Sequence, residues 1–328
     1  AAQGVCLTIC LIEVCRRDAR CGRRLGGFSL FVSIRCDNLS LAARTDVVCT
    51  DPDRITGPET EKLTVRAGAT VRVLEGAQVY AHYAQGFRAP PPADINLLLD
   101  IPLFNFRALP NPDLAPERSD TFELGMRWRR PETRFDAAVY YTDYEDFIES
   151  RANLGLDPVT GALVFQSRNI DAAHIYGVEA NASQGLGVIA ASLKSLSLDA
   201  GFHWSRGAND ISGQPLNDVH PLKATFALNW EPAPIPLTAV LRMTHLGHQG
   251  RVDFTDATFF VPPAANVFDV TLRYKPNDSI AANVGVFNLT NQRYWRYADV
   301  RRFDLGDPRI EAAARPGTYV QLKLELRY

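Results

Sequence analysis

The sequence places its cysteines, the residues with the most distinctive chemistry, within its first 49 residues. Cysteine thiolates bind zinc or exchange disulfides when their spacing brings them together. The spacing of the first four, C-x3-C-x4-C-x5-C, fits no zinc or redox motif. Residues 1–50 also contain seven arginines and no lysine. The six cysteines are Cys6, Cys10, Cys15, Cys21, Cys36 and Cys49.

Three interpretations of this N-terminal segment stay open. It is a disulfide or metal-binding module, an unusual strand pair that includes residues 28–34, or a stretch foreign to the rest, such as a truncated or out-of-frame gene start. We favour the third and divide the chain into an atypical Cys/Arg-rich segment, 1–60, and a main part, 61–328. Residues 1–14 are apolar but lack the basic start of a secretory signal, so we expect a signal that was removed or a missing natural N-terminus.

Motifs for enzymatic chemistry are absent from the sequence. It contains no Gly-x4-Gly-Lys-Ser/Thr phosphate loop and no credible Ser-His-Asp or metal-hydrolase constellation. We therefore predict that the protein is not an enzyme and has no intrinsic cofactor, and these motifs identify no metal site. The net charge of −2 does not provide the basic field that nucleic-acid binding requires.

The elements that would position any site are β-strands, because apolar and polar residues alternate with a period of two. Between residues 196 and 204 the even positions are Leu, Leu, Ala, Phe and Trp, whereas the odd ones carry Ser197, Asp199, Gly201 and His203. The pattern predicts about eleven strands in an antiparallel meander and no helices. They lie near 63–74, 77–87, 119–130, 133–148, 166–185, 194–205, 221–231, 237–247, 264–275, 279–289 and 316–328.

The connections between these strands alternate in length, which is typical of outer-membrane barrels with short periplasmic turns and long extracellular loops. Short connections lie at 75–76, 130–132, 186–193, 231–236 and 275–278. Long ones lie at 88–118, 149–165, 206–220, 248–263 and 290–315. Aromatic residues at strand ends match the interface girdles of such barrels: Trp128, Tyr140, Tyr141, Tyr144, Trp204, Trp230, Tyr274 and Tyr328.

We therefore predict an all-β, antiparallel, up-and-down transmembrane β-barrel, with a large soluble β-sandwich as the alternative. No stretch reaches the roughly 18 apolar residues of a membrane-spanning helix. Bacterial barrels have even strand numbers, so about eleven strands indicate part of a larger barrel. The aromatic last residue, Tyr328, marks the periplasmic end of the last strand, and the long loops then face outward.

Several segments resemble the TonB-dependent outer-membrane receptors, in the order expected for that family. They are YAHYAQGFRAP at 80–90, NPDLAPE at 111–117, ELG at 123–125, NIDAAHIYGVE at 169–179, NLTNQRYWRYADVR at 288–301 and RPG at 315–317. The boxes at 87–90 and 111–114 are similar to those of the haem and haemoglobin-uptake branch. The resemblance covers about residues 62–328 and identifies them as the C-terminal half of a receptor barrel.

The resemblance implies a barrel of about 22 strands with a plugged lumen, lodged in outer-membrane lipid, and import energised by the TonB-ExbB-ExbD complex through a plug domain. Haem, a haemoprotein or a ferric siderophore would be the transported ligand. The alternatives are a ferric-siderophore receptor, a passive porin-like barrel and a non-functional gene remnant. Residues 91–110 contain no His, Tyr, Met or Cys, and this departure weakens the haem assignment because haem iron needs such a ligand.

The resemblance also indicates candidate substrate-binding residues in and around the boxes. Arg88 and Asp113 would form a charged pair that fixes the long loop near the binding mouth, or would serve only as a structural turn lock. His82 should face the lumen, and His220 and His248 lie at outer rims where they could ligate iron. An arginine group in the last long loop, Arg296, Arg301 and Arg302, could attract an anionic ligand or form only a solvated loop face. The candidates are Phe87, Arg88, Asn111, Asp113, His82, His220, His248 and Tyr294.

Overall fold

The computed structural model describes residues 9–25, 27–44, 59–255 and 258–327, and these form one sheet of fifteen strands. Tyr328, which we expected to mark the periplasmic end, lies outside the described residues. The strands are β1 (Ile9–Leu25), β2 (Phe28–Arg44), β3 (Glu59–Leu74), β4 (Ala77–Arg88), β5 (Leu99–Ile101), β6 (Phe106–Leu109), β7 (Glu117–Arg130), β8 (Thr133–Leu156), β9 (Leu163–Gly185), β10 (Leu196–Asn209), β11 (Lys223–Trp230), β12 (Leu237–Leu246), β13 (Ala265–Tyr274), β14 (Ile280–Phe287) and β15 (Tyr319–Leu326).

The sheet is an up-and-down antiparallel meander, which confirms the predicted partial barrel. Its order follows the chain from β1 to β4 and from β7 to β15, so each predicted strand is present and pairs with the next. In the described part of the chain the sheet is open, with β1 and β15 at its edges. The short strands β5 and β6 stand apart: they pair with each other, and β6 also runs parallel to β9.

The N-terminal segment forms a hairpin that continues the sheet. Strands β1 and β2 pair along their whole length, and β2 pairs with β3 from Phe28 opposite Val71 to Ser40 opposite Glu59. This arrangement corresponds to the strand-pair interpretation. The division of the chain at residue 60 and the foreign origin of its first part stay predictions.

Strands β8 and β9 are longer than the sequence pattern predicted, with 24 and 23 residues. A membrane-crossing strand needs about 9–11 residues, so both strands continue well beyond that length. The predicted long loop at 149–165 is wrong in extent, because only residues 157–162 connect the two strands. Register shifts near Glu149 and Asn153 interrupt the alternation of apolar and polar residues there. The period-two pattern therefore does not predict these parts of the strands.

Alternation along each strand gives the sheet two different faces. Large apolar side chains such as Leu124, Phe226 and Leu322 are exposed on one face, and an exposed apolar surface of this extent is typical of contact with a membrane. A row of aromatic cross-strand partners crosses this face near the long-loop end: Tyr83, Phe122, Tyr141 and Tyr176. Of the residues predicted for the girdle, this row contains Tyr141.

Tyr140, which we also assigned to the girdle, lies on the other face, called inner here. There its ring covers Gly177 on β9, where a Cβ would lie 2.6 Å from the Tyr140 hydroxyl. The Tyr80 ring covers Gly125 in the same way. Glycine at these positions allows an aromatic ring to lie flat against the neighbouring strand.

Short and long connections lie at opposite ends of the sheet, as predicted. The short turn at Glu75 and Gly76 contrasts with long loops at 89–116, 210–222, 247–264 and 288–318. The loops contain short helices, which the prediction of no helices missed: α1 (Pro92–Asn96), α2 (Tyr297–Val300) and α3 (Arg309–Ala312), and 3-10 turns at Pro102–Phe104, Leu186–Val188 and Ala191–Leu193. No helix among the described residues is long and apolar enough to span a membrane.

Candidate functional site

A cavity of about 490 Å³ lies at the long-loop end, on the upper parts of β8 and β9. The loops 210–222, 247–264 and 288–318 close its other sides. Phe147 and Phe259 contribute aromatic surface, whereas Arg168, Asn217 and Arg301 contribute polar groups. A mixed lining of this kind suits a ligand with an apolar body and a few polar substituents.

Loop 89–116 is fixed to the barrel beside this cavity by a buried carboxylate. Arg88 Nη2 donates to Glu117 Oε2 at 2.6 Å, and the buried Ile148 amide donates to the same oxygen at 3.0 Å. The predicted pair of Arg88 with Asp113 is therefore wrong in its acidic partner. Glu117 is the cross-strand partner of Arg88, whereas Asp113 lies in an exposed turn where its amide bonds to the Asn111 side chain.

The second box is held against β9 by side-chain amides. Asn111 Nδ2 donates to the Ser167 carbonyl at 2.8 Å, and Gln166 Nε2 donates to the Pro110 carbonyl at 2.8 Å. Asn169 bonds to both the amide and the carbonyl of Ala115. Asn111 thus anchors the loop, because its side-chain amide donates to the backbone of β9.

A third anchor joins helix α1 to the ends of β8 and β9. Asp94 is buried, and its two oxygens accept from Ser150 Oγ at 2.9 Å and Ser167 Oγ at 3.0 Å. Ile95 packs with Leu114 and Ile148 in a small apolar cluster next to it. Polar bonds and apolar contacts together hold loop 89–116 in one conformation.

The three loops on the other side of the cavity are joined by Asp218 and its neighbour Asn217. Its carboxylate accepts from Arg301 Nε at 2.8 Å and from Arg302 Nη2 at 3.1 Å. The Tyr297 hydroxyl donates to the Asn217 carbonyl at 2.9 Å, and Asn217 exchanges two bonds with the Asp253 backbone. Two guanidiniums thus share one carboxylate at this edge of the cavity.

The remaining arginine of the predicted anion-binding group lies apart from this pair. Arg296 bonds to Asp299 within its own loop, with Nε and Oδ2 2.8 Å apart. That bond raises the pKa of the Arg296 guanidinium, which stays charged but is already paired. Only Arg301 and Arg302 of the predicted group line the cavity.

The predicted histidines lie at separate places. His82 is on the inner face, opposite Glu123 and 5.7 Å from the Phe31 ring. His248 Nδ1 lies 3.1 Å from the Pro262 carbonyl at the rim. The pKa of His220 is lowered, first because the surrounding protein partly desolvates the ring, and then because Arg301 lies near it. A lowered pKa keeps the imidazole neutral at neutral pH, the form that binds metal ions.

The eight predicted site residues do not line the cavity. Phe87 is half-buried opposite Arg118, and Tyr294 is half-buried with its carbonyl accepting from the Arg315 amide. The lining instead includes Glu149 and Arg151, which sequence reasoning assigned to a loop, and Arg168 of β9. Among the residues that the structure describes, no cluster of three or more His, Cys, Asp or Glu could hold a metal ion.

Comparisons with known proteins match this architecture. The family described as "TonB dependent receptor-like, beta-barrel" matches residues 24–289. The chain is 25% identical, over 264 residues, to a probable hemoglobin and hemoglobin-haptoglobin-binding protein 4 of Haemophilus influenzae. It is 24% identical, over 320 residues, to hemoglobin-haptoglobin utilization protein B of Neisseria meningitidis serogroup A. These matches cover 74% and 84% of the chain but 26% and 38% of the relatives.

Solved structures show the same fold. The copper transporter OprC superposes with a TM-score of 0.72 at 18% identity, over 93% of this chain and 46% of that one. The FrpB iron transporter of Neisseria meningitidis superposes with a TM-score of 0.65 at 15% identity, over 95% and 45%. The chain thus spans less than half of each structure and of each curated relative.

Proposed function

Because the chain belongs to the TonB-dependent receptor-like β-barrel family, we propose that it is the C-terminal part of an outer-membrane receptor that imports haem or haemoprotein iron with energy from TonB. Members of this family are receptors and transporters of the outer membrane rather than enzymes. The observation that carries the proposal is the similarity, over 74% and 84% of the chain, to two proteins named for haemoglobin binding or utilisation.

The geometry of the long-loop end supports this proposal. In outer-membrane barrels the short turns face the periplasm and the long loops face the exterior. The cavity at the long-loop end would therefore open to the outside, where the ligand is. Loops fixed by Glu117, Asp94 and Asp218 form a preorganised surface that loses little conformational freedom on binding. The TonB-ExbB-ExbD complex would act from the periplasmic side through the plug domain of the receptor.

The iron ligand in this proposal comes from outside the box region, because residues 91–110 contain no His, Tyr, Met or Cys. His220 is our first candidate, since it is exposed and lies two residues from Asp218, which lines the cavity. Its lowered pKa also favours the neutral imidazole that ligates haem iron. His248 and Tyr294 lie on neighbouring loops and are second candidates. Arg88, Asn111 and Phe87 would act by holding the loop rather than by touching the ligand.

A growth assay tests the function. The receptor that carries this chain is expressed in an iron-starved strain without other iron receptors, and the strain receives haemoglobin, free haem or a ferric siderophore as its iron source. We expect growth on haemoglobin or haem, and no growth when tonB is deleted. Growth on the ferric siderophore alone would show that the transported ligand is the siderophore and not haem. Uptake that persists without TonB would indicate a passive barrel, and no uptake from any source would indicate a remnant.

A further inference from the structure

Strand β8 contains a bulge next to the cavity. Glu149 is opposite Arg168 and Ala152 is opposite Gln166, so β8 has one more residue than β9 in this interval. Arg151 lies in the bulge with a φ of 54°, in the left-handed region that residues with a Cβ disfavour. Bulges of this kind change the direction of a side chain and recur beside functional sites.

Buried polar groups hold this unfavourable backbone in place. The Arg151 amide donates to Ser167 Oγ at 2.9 Å, and the Ser167 hydroxyl in turn donates to Asp94 at 3.0 Å. Ser167 and Asp94 are both buried, and Ser150 next to Arg151 donates to the other oxygen of Asp94. Helix α1 and strand β9 therefore fix the position from which the Arg151 side chain extends.

Arg151 differs from the other arginines that line the cavity. Arg168 pairs with Glu149 at 2.9 Å, and Arg301 and Arg302 share Asp218. For Arg151, which is exposed, the described part of the chain provides no carboxylate within the 4.0 Å of a salt bridge. A guanidinium offers several donors in a planar fork that matches a carboxylate.

We propose that Arg151 binds a carboxylate of the transported ligand, with Ser167 and Asp94 as residues that position it. The inference rests on the proposed function, under which this carboxylate is a propionate of haem. The bulge places Arg151 in the lining of the cavity, where the described residues offer its guanidinium no carboxylate. Haem offers two carboxylates on an apolar ring, which suits the mixed lining of this cavity.

The test compares haem with its dimethyl ester, which keeps the iron and the ring but has no carboxylates. Each is titrated into the detergent-purified receptor that carries this chain, and the dissociation constant is measured by quenching of tryptophan fluorescence. We expect the unaltered receptor to prefer haem over the ester by about tenfold, the effect of one charge-assisted bond. R151Q should abolish this preference and leave ester binding unchanged. R118Q, on a strand away from the cavity, is the matched control.

A second variant separates binding from folding. R151G suits the positive φ, so its thermal stability should equal or exceed that of the unaltered receptor, while its preference for haem disappears. Ser167→Ala should weaken the preference while Arg151 is still present. An unchanged haem preference in R151Q, or an equal loss for haem and ester, overturns the assignment of Arg151 alone. If the unaltered receptor binds neither compound, the proposed function fails and the inference fails with it.

Discussion

The carboxylate of Glu117 is the group whose loss we expect to loosen the loop end most. It accepts from Arg88 at 2.6 Å and from the Ile148 amide at 3.0 Å. Glu117→Met keeps the length of the side chain and removes both acceptors. The Arg88 side chain is 46% exposed and regains water, so its contribution is small. The Ile148 residue is 1% exposed, and a buried amide without a partner costs about 1–3 kcal/mol.

We take about 2 kcal/mol from this range, which corresponds to about a 30-fold increase in local opening. Hydrogen–deuterium exchange of peptides that cover residues 89–116 and 146–152 measures that increase. The matched control is Glu145→Met, because Glu145 is 72% exposed and lies 4.0 Å from Arg118. Such an exposed pair contributes about 0–1 kcal/mol. An increase below about threefold for Glu117→Met, or an equal increase in the control, would refute this reasoning.

Two further predictions concern pH and packing. The lowered pKa of His220 means that folding favours its neutral ring, so its stabilising contribution is present above the ordinary pKa of 6.5 and is lost as the pH falls below it. Exchange of residues 210–222, corrected for its intrinsic pH dependence, should therefore rise on acidification and stay flat in H220Q. Gly177→Ala would place a Cβ 2.6 Å from the Trp204 carbonyl oxygen, at a cost of about 1–3 kcal/mol. The folded fraction on gels of unheated samples should fall. Adding Tyr140→Ala should not restore it, because the Trp204 carbonyl oxygen would still obstruct the Cβ.

The barrel wall was predictable because its signal is local. In a half-exposed strand each pair of neighbouring residues already shows which faces outward, and residues 196–204 carry that pattern without any tertiary information. The turn at Glu75 and Gly76 was equally predictable, because glycine adopts the positive φ of 76° that the turn needs. The comparisons and the fold bear out the predicted family and the partial barrel.

The ends of β8 and β9 were not predictable in this way. The bulge that contains Arg151 shifts the alternation by one residue, so the strand reads as a loop. The predicted partner of Arg88 was wrong for a related reason. Asp113 and Glu117 both lie in the second box segment, NPDLAPE at 111–117. Only the antiparallel register of β4 and β7 decides that Glu117 lies opposite Arg88.

The sequence alone thus determined the strands, their meander and the segregation of short and long connections, because period-two alternation and turn residues act over a few positions. Only the tertiary structure decided which loop residues meet. The bond from Asn169 to Ala115 joins residues 54 apart, and that from Arg302 to Asp218 joins residues 84 apart. Such long-range contacts produce no periodic pattern in the sequence. The cavity forms only where they bring the long loops together on β8 and β9.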